Sequence, residues 1–437
     1  MKGTFYLETH GCQMNEHDSE RMAGLMEVAG YKRVLDAEEA DVAILNTCAI
    51  RENADNKLYG HLGHLKPIKQ RTGLKIAVGG CQAEKDREGV LERAPWVDVV
   101  FGTRNIDALP RLIGAVEEAG VPIVEFAEQF DVHPSALPAR RESHFHAWVA
   151  IQYGCNNACT FCIVPSVRGR EVSRPMGDVL GEVRELADSG VSEISLLGQN
   201  VNSYGRDLIG RPIFAELLYA VNDVPGVSRI RYTSPHPKDF KRDTARAMAE
   251  CDAVCEHLHF PLQSGSDSVL RRMKRAYSRS SYLDKLAMAR ESIPGLALTT
   301  DIIVGFPGET EDEFADTLSL AEEVRFDSAY MFQYSRRPGT DAATMDEQVP
   351  KDVVQERFDR LLATQTQISL ERNEDLIGAT VELTIERAAS KNDATRATGR
   401  TRTNKLVHVP SDGLRPGDAA TARITEATAH YLSGQPM

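Results

Sequence analysis

Short runs rich in aliphatic and β-branched residues alternate with helix-patterned stretches along most of the chain, and this alternation restricts the fold more than any other feature. Near the N-terminus the runs are GTFYLE (3–8), DVAILN (41–46), KIAVGG (75–80) and VDVVFG (97–102), with helical patterning from about Asp18 to Ala29 and again after Asn105. Strands that alternate with helices pair in parallel, because each crossover returns the chain to the same side of the sheet. Residues 1–118 are therefore predicted to form an α/β domain on a parallel sheet. A second series reads AWVAIQ (147–152), EISLLG (193–198), SRIRYT (228–233), HLHFPL (257–262), LTTDIIVG (298–305) and SAYMFQY (328–334). Strands of that kind with crossover helices predict a partial (β/α)6 barrel over 140–374. Between the two series Pro122, Pro134 and Pro138 punctuate an aperiodic stretch, so 119–139 reads as a linker. After a helix near 351–373, short strand candidates at 379–385, 395–400, 405–409 and 419–427 are separated by Gly, Pro and Asp turns. They predict a small all-β, OB-like barrel over 375–437.

No apolar run reaches the roughly 18 residues of a membrane span, and the N-terminus lacks a signal-peptide pattern, so a cytoplasmic location is expected. Cysteines in a reducing compartment rarely pair, and unusual spacing there points to metal or catalysis. Cys155, Cys159 and Cys162 form a C-x3-C-x2-C word in GCNNACTFC, just after the first strand of the predicted barrel. Three thiolates so close in sequence can wrap one face of an iron–sulfur cubane. Full ligation takes four, so one iron is left open to a small molecule. Zinc favours a second cysteine pair or histidines further on, and none follows Cys162 closely. Cys12, Cys48 and Cys81 each follow a candidate strand, in FYLETHGC, AILNTC and IAVGGC. A lone cysteine there is usually a packing residue. Three at the same strand ends would converge along one sheet edge, and the glycines in Gly11-Cys12-Gln13 and Gly80-Cys81-Gln82 permit close backbone approach. Cys251 and Cys255, four apart near a helix end, read as packing residues.

With Phe161 ahead of its third cysteine, the first word resembles the signature of the radical S-adenosylmethionine (SAM) superfamily. Both cysteine sets, with GCQMNEHDSERMAG, NTCAIRENADNKLYGHLG, GGCQAE, LLGQNVNSYG, TSPHP, HFPLQSGSDSVLRRMKR and TDIIVGFPGET, make essentially the whole chain resemble the methylthiotransferase family of that superfamily. Residues 375–437 resemble its RNA-binding TRAM module. The words QMN (13–15), GQNVNSYG (198–205) and QSGSD (263–267) are similar to the branch acting on isopentenyl-adenosine beside the anticodon of tRNA. Ser166-Val167 departs from that branch, which usually carries a tyrosine–threonine pair. The resemblance implies a SAM-cleaving [4Fe-4S] cluster on Cys155, Cys159 and Cys162 and an auxiliary [4Fe-4S] cluster on Cys12, Cys48 and Cys81. It implies that one SAM methylates a sulfur at the auxiliary cluster. A second SAM then yields a 5′-deoxyadenosyl radical that takes hydrogen from C2 of the adenine, and the methylthio group joins that carbon. The implied partners are SAM, a tRNA anticodon loop and an electron donor of flavodoxin or ferredoxin type. Methylthiolation of threonylcarbamoyl-adenosine or of a ribosomal protein stays open, as does a non-catalytic iron–sulfur RNA-binding protein. A monomer is the default.

Gln199, Asn200, Ser234, His236, Gln263 and Asp301 lie near predicted strand carboxyl ends, where a barrel places its site. With Phe161 they are the candidate contacts to SAM or substrate. GFPGET (305–310) lacks the GK[ST] ending of a phosphate loop, and Glu309 with Thr310 is expected to organise the following helix start. The net charge of −13 disfavours indiscriminate nucleic-acid binding, so RNA contacts must be local. Three clusters qualify: Arg387, Lys391, Arg396, Arg400, Arg402 and Lys405; Arg271, Arg272, Lys274, Arg275 and Arg279 beside Tyr277; and Arg168, Arg170 and Arg174.

Overall fold

The computed structural model describes residues 2–437 apart from 50, 51, 131, 132, 391, 392 and 394, with the backbone alone for 52–56. The chain folds into two compact units. The first comprises Met1–Glu142, Trp148–Ala158 and Cys162–Val172, the second Ser143–Ala147, Cys159–Phe161 and Ser173–Met437.

The first unit is built on a parallel sheet of β1 (Gly3–Thr9), β2 (Tyr31–Arg33), β3 (Val42–Thr47), β4 (Lys75–Gly80), β5 (Val99–Phe101) and β6 (Ile123–Glu125), in the order β2-β1-β3-β4-β5-β6. Alternate residues of each strand feed opposite faces. Val42 and Ile44 join Phe5, Met22, Met26 and Leu112 on one side. Ala43 and Leu45 join Leu58, Leu62, Ile76 and Val78 on the other. Burial on both faces makes these strands read as unbroken apolar runs.

Three features differ from expectation. The first helix runs Gln13–Val28 and starts directly after Cys12. Its first turns bury Asn15, His17, Asp18, Ser19, Glu20 and Arg21, so no apolar periodicity announces them. The stretch expected to be a linker supplies β6, with Ile123 paired to Val99, and Arg140 N–H donates to the Glu20 carbonyl at 2.9 Å. A helix at Glu52–Thr72 covers one sheet face although it contains Pro67.

Glu20 yields a pH prediction. Burial pushes its carboxyl up to about 7 from 4.5, against the pull of Arg141. Between those values the folded chain keeps a proton that the unfolded chain has lost. Stability therefore falls as pH rises through that window. Urea unfolding from pH 5 to 8 should show this slope, and Glu20→Gln should flatten it.

In the second unit the strands Glu193–Leu197 and Arg229–Tyr232 pair in parallel, as do His257–His259, Ala297–Val304 and Ser328–Gln333. A parallel bridge joins Ile230 of the first set to Val254, which precedes the strand His257–His259. The strand His146–Ala150 joins the first set through the Phe145 carbonyl, which accepts from Ser192 and Glu193 N–H. These are the strands of the predicted partial barrel. The tail closes a barrel of Thr380–Arg387, Arg396–Thr401, Leu406–Pro410, Leu432–Pro436 and Ala419–Ala427, in that spatial order. Its core is Leu383, Ile385, Val407, Val409, Ile424 and Leu432. The strand LSGQP was not expected, because its Gly and Pro read as a turn.

Four of the five described basic residues foreseen as an RNA face in the tail instead hold internal contacts, Arg396 by donating to the His408 carbonyl at 3.3 Å. Arg402 grips the Glu256 carboxylate (Nη2–Oε1 2.6 Å) and the carbonyls of Asp252 and Val254. Lys405 pairs with Asp327 at 2.7 Å, and Arg400 pairs with Glu386. In return Arg229 and Arg231 donate to the Arg400, Thr401 and Arg402 carbonyls. Arg387 stays exposed and Arg396 is half-buried, while Lys391 lies outside the described residues. Arg402→Ala should cost about 2 kcal/mol, since it strands a carboxylate and two carbonyls. Chemical denaturation of the full chain checks this.

Candidate metal centres

In the first unit the strand order reverses between β1 and β3. Loops leaving the carboxyl ends of two such strands diverge and open a crevice for ligands. Cys12 follows β1 and Cys48 follows β3, so both flank that crevice. Cys81, the first residue of the helix Cys81–Asp86, follows the adjacent β4. Gly80 before it has φ +91°, and a Cβ there would meet Asn46 Oδ1 at 2.4 Å and the Thr47 carbonyl oxygen at 2.5 Å. A Cβ on Gly11 would lie 3.0 Å from Cys48 Cβ. The backbone at two of the three cysteines thus has no room for a side chain.

Asn15 lies beside two of the three cysteines. Its Oδ1 lies 3.8 Å from Cys12 Sγ and 4.0 Å from Cys81 Sγ. Its Nδ2 donates to the His10 and Thr47 carbonyls at 3.1 and 2.8 Å. Arg168 enters the same site. Its Nε lies 3.3 Å from Cys81 Sγ, and its Nη2 donates to Asn15 Oδ1 at 3.0 Å and to Asp18 Oδ2 at 2.8 Å. Burial would raise the Asp18 carboxyl, but Arg168 and His17 hold it below the ordinary carboxylate range. Burial pushes the Cys81 thiol up to about 12, with Arg168 pulling the other way.

Among the described residues, the one group of three His, Cys, Asp or Glu whose ligand atoms lie within 4.8 Å of one another is Glu8, His10 and His61. The sulfurs of Cys12, Cys48 and Cys81 are not all within 4.8 Å of one another, wider than the shell of a single ion. Soft, all-thiol donors at that spread suit a multi-iron cluster.

Around the second set, Cys155 and Cys162 belong to the first unit and Cys159 to the second. Cys155 N–H donates to the Gly169 carbonyl at 3.1 Å, and its Sγ accepts from Asn157 N–H at 3.4 Å. Cys159 Sγ accepts from Arg275 Nη1 at 3.3 Å. Arg275 Nε donates to Tyr277 Oη at 3.0 Å, and the Tyr277 hydroxyl donates to the Leu262 carbonyl at 2.8 Å. Thr160 N–H donates to the Met273 carbonyl at 3.1 Å. Phe161 packs against Val269, Met273, Phe306 and Ala342, so it is part of a small apolar core.

Several residues of the two basic clusters near these loops hold internal contacts instead of facing solvent. Arg168 and Arg174 are buried, and Arg174 pairs with Glu182 at 2.7 Å. Arg272 pairs with Glu313 and Arg279 with Glu323. Arg170 and Arg271 stay exposed. A basic run does not show where its partners lie, because those come from distant segments.

The other candidate residues are placed as follows. Asn200 is buried, with Nδ2 donating to Asp239 Oδ2 at 2.7 Å and Oδ1 accepting from His236 N–H at 3.3 Å. Gln199 Oε1 is buried with no hydrogen-bond partner among the described residues. Ser234 (φ +58°) and Gln263 (φ +68°) adopt left-handed backbone, which costs a non-glycine residue about 1 kcal/mol or more and clusters at functional sites. Gln263 N–H donates to the Asp301 carbonyl at 2.8 Å. Asp301 Oδ2 lies 3.3 Å from His259 Nε2. Its cross-strand neighbour Tyr330 is 55% exposed. Gln263 and Asp301 are thus brought together. Glu309 does not organise the helix start: it accepts from Gly305 N–H and pairs with Arg357. Thr310 caps that helix, reciprocally with Glu313. Cys251 and Cys255 are buried. The residues not singled out from the sequence are Asp18 and His259, which lie inside the words GCQMNEHDSERMAG and HFPLQSGSDSVLRRMKR without being marked there, and Tyr330, which lies in none of those words. Asn15 lay within one, QMN, but nothing in it marks an amide that cross-links three cysteine turns.

Residues 4–102 match the Uncharacterized protein family UPF0004, 149–321 the Radical SAM superfamily and 374–437 the TRAM domain. A tRNA-2-methylthio-N(6)-dimethylallyladenosine synthase of Acidothermus cellulolyticus is 55% identical over 432 residues, spanning 98% of this chain and 87% of that one. The protein of the same name from Mycobacterium bovis is 54% identical over 440 residues, spanning 98% and 86%. Among solved structures, a radical S-adenosylmethionine methyltransferase from Kitasatospora setae, with cobalamin and a [4Fe-4S] cluster bound, superposes with a TM-score of 0.58 at 16% identity. That match covers 78% of this chain and 74% of that one and shows a shared fold. Identity above one half over nearly full length on both sides leaves one assignment: the chain belongs to the family of tRNA-2-methylthio-N(6)-dimethylallyladenosine synthases, radical SAM proteins with a TRAM domain.

Proposed function

We propose that this protein is an enzyme that transfers a methylthio group to C2 of N6-dimethylallyladenosine beside the anticodon of tRNA, with SAM and two [4Fe-4S] clusters as cofactors. The observation that carries this reading is the likeness to the named synthases over 98% of the chain. Cys155, Cys159 and Cys162 hold the SAM-cleaving cluster, and Cys12, Cys48 and Cys81 hold the auxiliary one. When bound, these groups supply the electron for SAM cleavage and the sulfur for transfer.

The remaining work falls to the chain. Arg275 donates an N–H to the Cys159 sulfur and fixes that ligand's orientation. Gln199, Asn200, Ser234, Gln263 and Asp301 bind SAM at the strand ends, with the strained backbones of Ser234 and Gln263 aiming polar groups at it. Phe161 takes the packing role that its apolar neighbours support. An aromatic C–H without an activating neighbour resists acid–base chemistry, which is why these residues surround a radical centre rather than a proton shuttle. The target base must leave its stack to reach them. The tail barrel binds the RNA backbone, through exposed groups such as Arg387. We place the enzyme in the cytosol as a monomer, served by a flavodoxin- or ferredoxin-type donor; no described helix is long and apolar enough to cross a membrane.

The test is anaerobic turnover of reduced holoprotein with SAM and tRNA bearing dimethylallyladenosine. The reading expects 5′-deoxyadenosine and a methylthiolated nucleoside. Turnover confined to tRNA bearing threonylcarbamoyl-adenosine would reassign the substrate.

A further inference from the structure

We propose that Arg168 is a positioning residue for the auxiliary centre. This rests on the reading that Cys12, Cys48 and Cys81 carry a cluster.

Arg168 ends the short helix Val164–Arg168, which begins two residues after Cys162. Its side chain does not face solvent like a nucleic-acid contact. It is 5% exposed and points at the Cys81 sulfur. A buried guanidinium is costly unless anions surround it. Asp18 supplies one negative charge. Three thiolates outweigh the positive charge of an oxidised cubane, so the loaded centre is anionic, and Arg168 is the cation already aimed at it. Its Nη2 also braces Asn15 Oδ1, the oxygen that faces both Cys12 and Cys81.

The position of Arg168 is itself fixed. Thr103 Oγ1 donates to the Val167 carbonyl at 2.8 Å. Val167 packs with Ala49, Cys81 and Ile163, against the turns of the auxiliary triad. That buried valine is where the family branch usually has threonine. The next residue, Gly169, accepts the Cys155 N–H. One dipeptide therefore touches a ligand of each set: side chain to Cys81, carbonyl to Cys155.

The test uses full-length chain with Cys155, Cys159 and Cys162 replaced by alanine, so that only the auxiliary cluster can form. Into it are introduced Arg168→Met, which removes charge and donors, and Arg168→Lys, which keeps the charge. Iron per chain and the midpoint potential in an EPR-monitored titration are read. A nearby cation favours the more negative, reduced state. Arg168→Met should therefore lower the potential or lose the cluster, and Arg168→Lys should recover part of either. A potential and iron content in Arg168→Met equal to those of the parent overturn the proposal. So does loss of iron in both variants alongside a collapsed thermal midpoint, which would make Arg168 a fold brace only. Failure of the parent itself to bind iron would instead refute the cluster reading.

Discussion

Replacing Cys12, Cys48 and Cys81 together by alanine will give a protein that holds about half the iron of the parent, still converts SAM to 5′-deoxyadenosine, and makes no methylthiolated nucleoside. The three cysteines leave β1, β3 and β4 on the side where the strand order reverses, and Asn15 reaches Cys12, Cys81 and the carbonyl before Cys48. On the proposed assignment they ligate one cluster, so losing them removes that cluster whole. Each substitution deletes a single small sulfur group, a change that costs on the order of 1 kcal/mol, so the fold survives. Iron analysis and product chromatography on one sample separate the outcomes. Unchanged iron would show that the triad is a packing cluster.

The complementary substitution has the opposite signature. Alanine at Cys155, Cys159 and Cys162 will remove the other half of the iron and abolish 5′-deoxyadenosine formation, a loss of at least several orders of magnitude, because the proposed SAM-cleaving cluster loses all its protein ligands. Arg275→Met should act in the same direction but less completely. It withdraws the N–H donor from Cys159 Sγ and leaves the Tyr277 hydroxyl without its guanidinium neighbour. Retention of SAM cleavage in the triple variant would contradict the assignment of the C-x3-C-x2-C loop.

Much of this architecture was legible before any coordinates. The parallel sheet, the barrel strands and most of the tail barrel follow from two-sided burial and turn chemistry, which leave marks in a single sequence. The strand-end placement of Cys12, Cys48 and Cys81 was legible because each strand and the turn after it are read locally. What stayed hidden depends on long-range pairing. The helix start at Gln13 is polar and buried, so periodicity pointed to Asp18 instead. Residues 123–125 looked like linker because a three-residue strand gains its meaning only from β5 beside it. Arg168, Arg275 and Arg402 looked like RNA contacts because arginine reads alike whether its partner is phosphate, a thiol or a buried carboxylate. In the fold they meet Cys81, Cys159 and Glu256.

The central claim is a methylthio transfer to dimethylallyladenosine in tRNA. The most direct measurement is mass spectrometry of tRNA nucleosides from cells that lack this protein, with and without its restoration. The account predicts that 2-methylthio-N6-dimethylallyladenosine is absent without the protein, that its unmethylthiolated precursor accumulates, and that restoration reverses both. An unchanged level of the methylthiolated nucleoside in cells lacking the protein would contradict it.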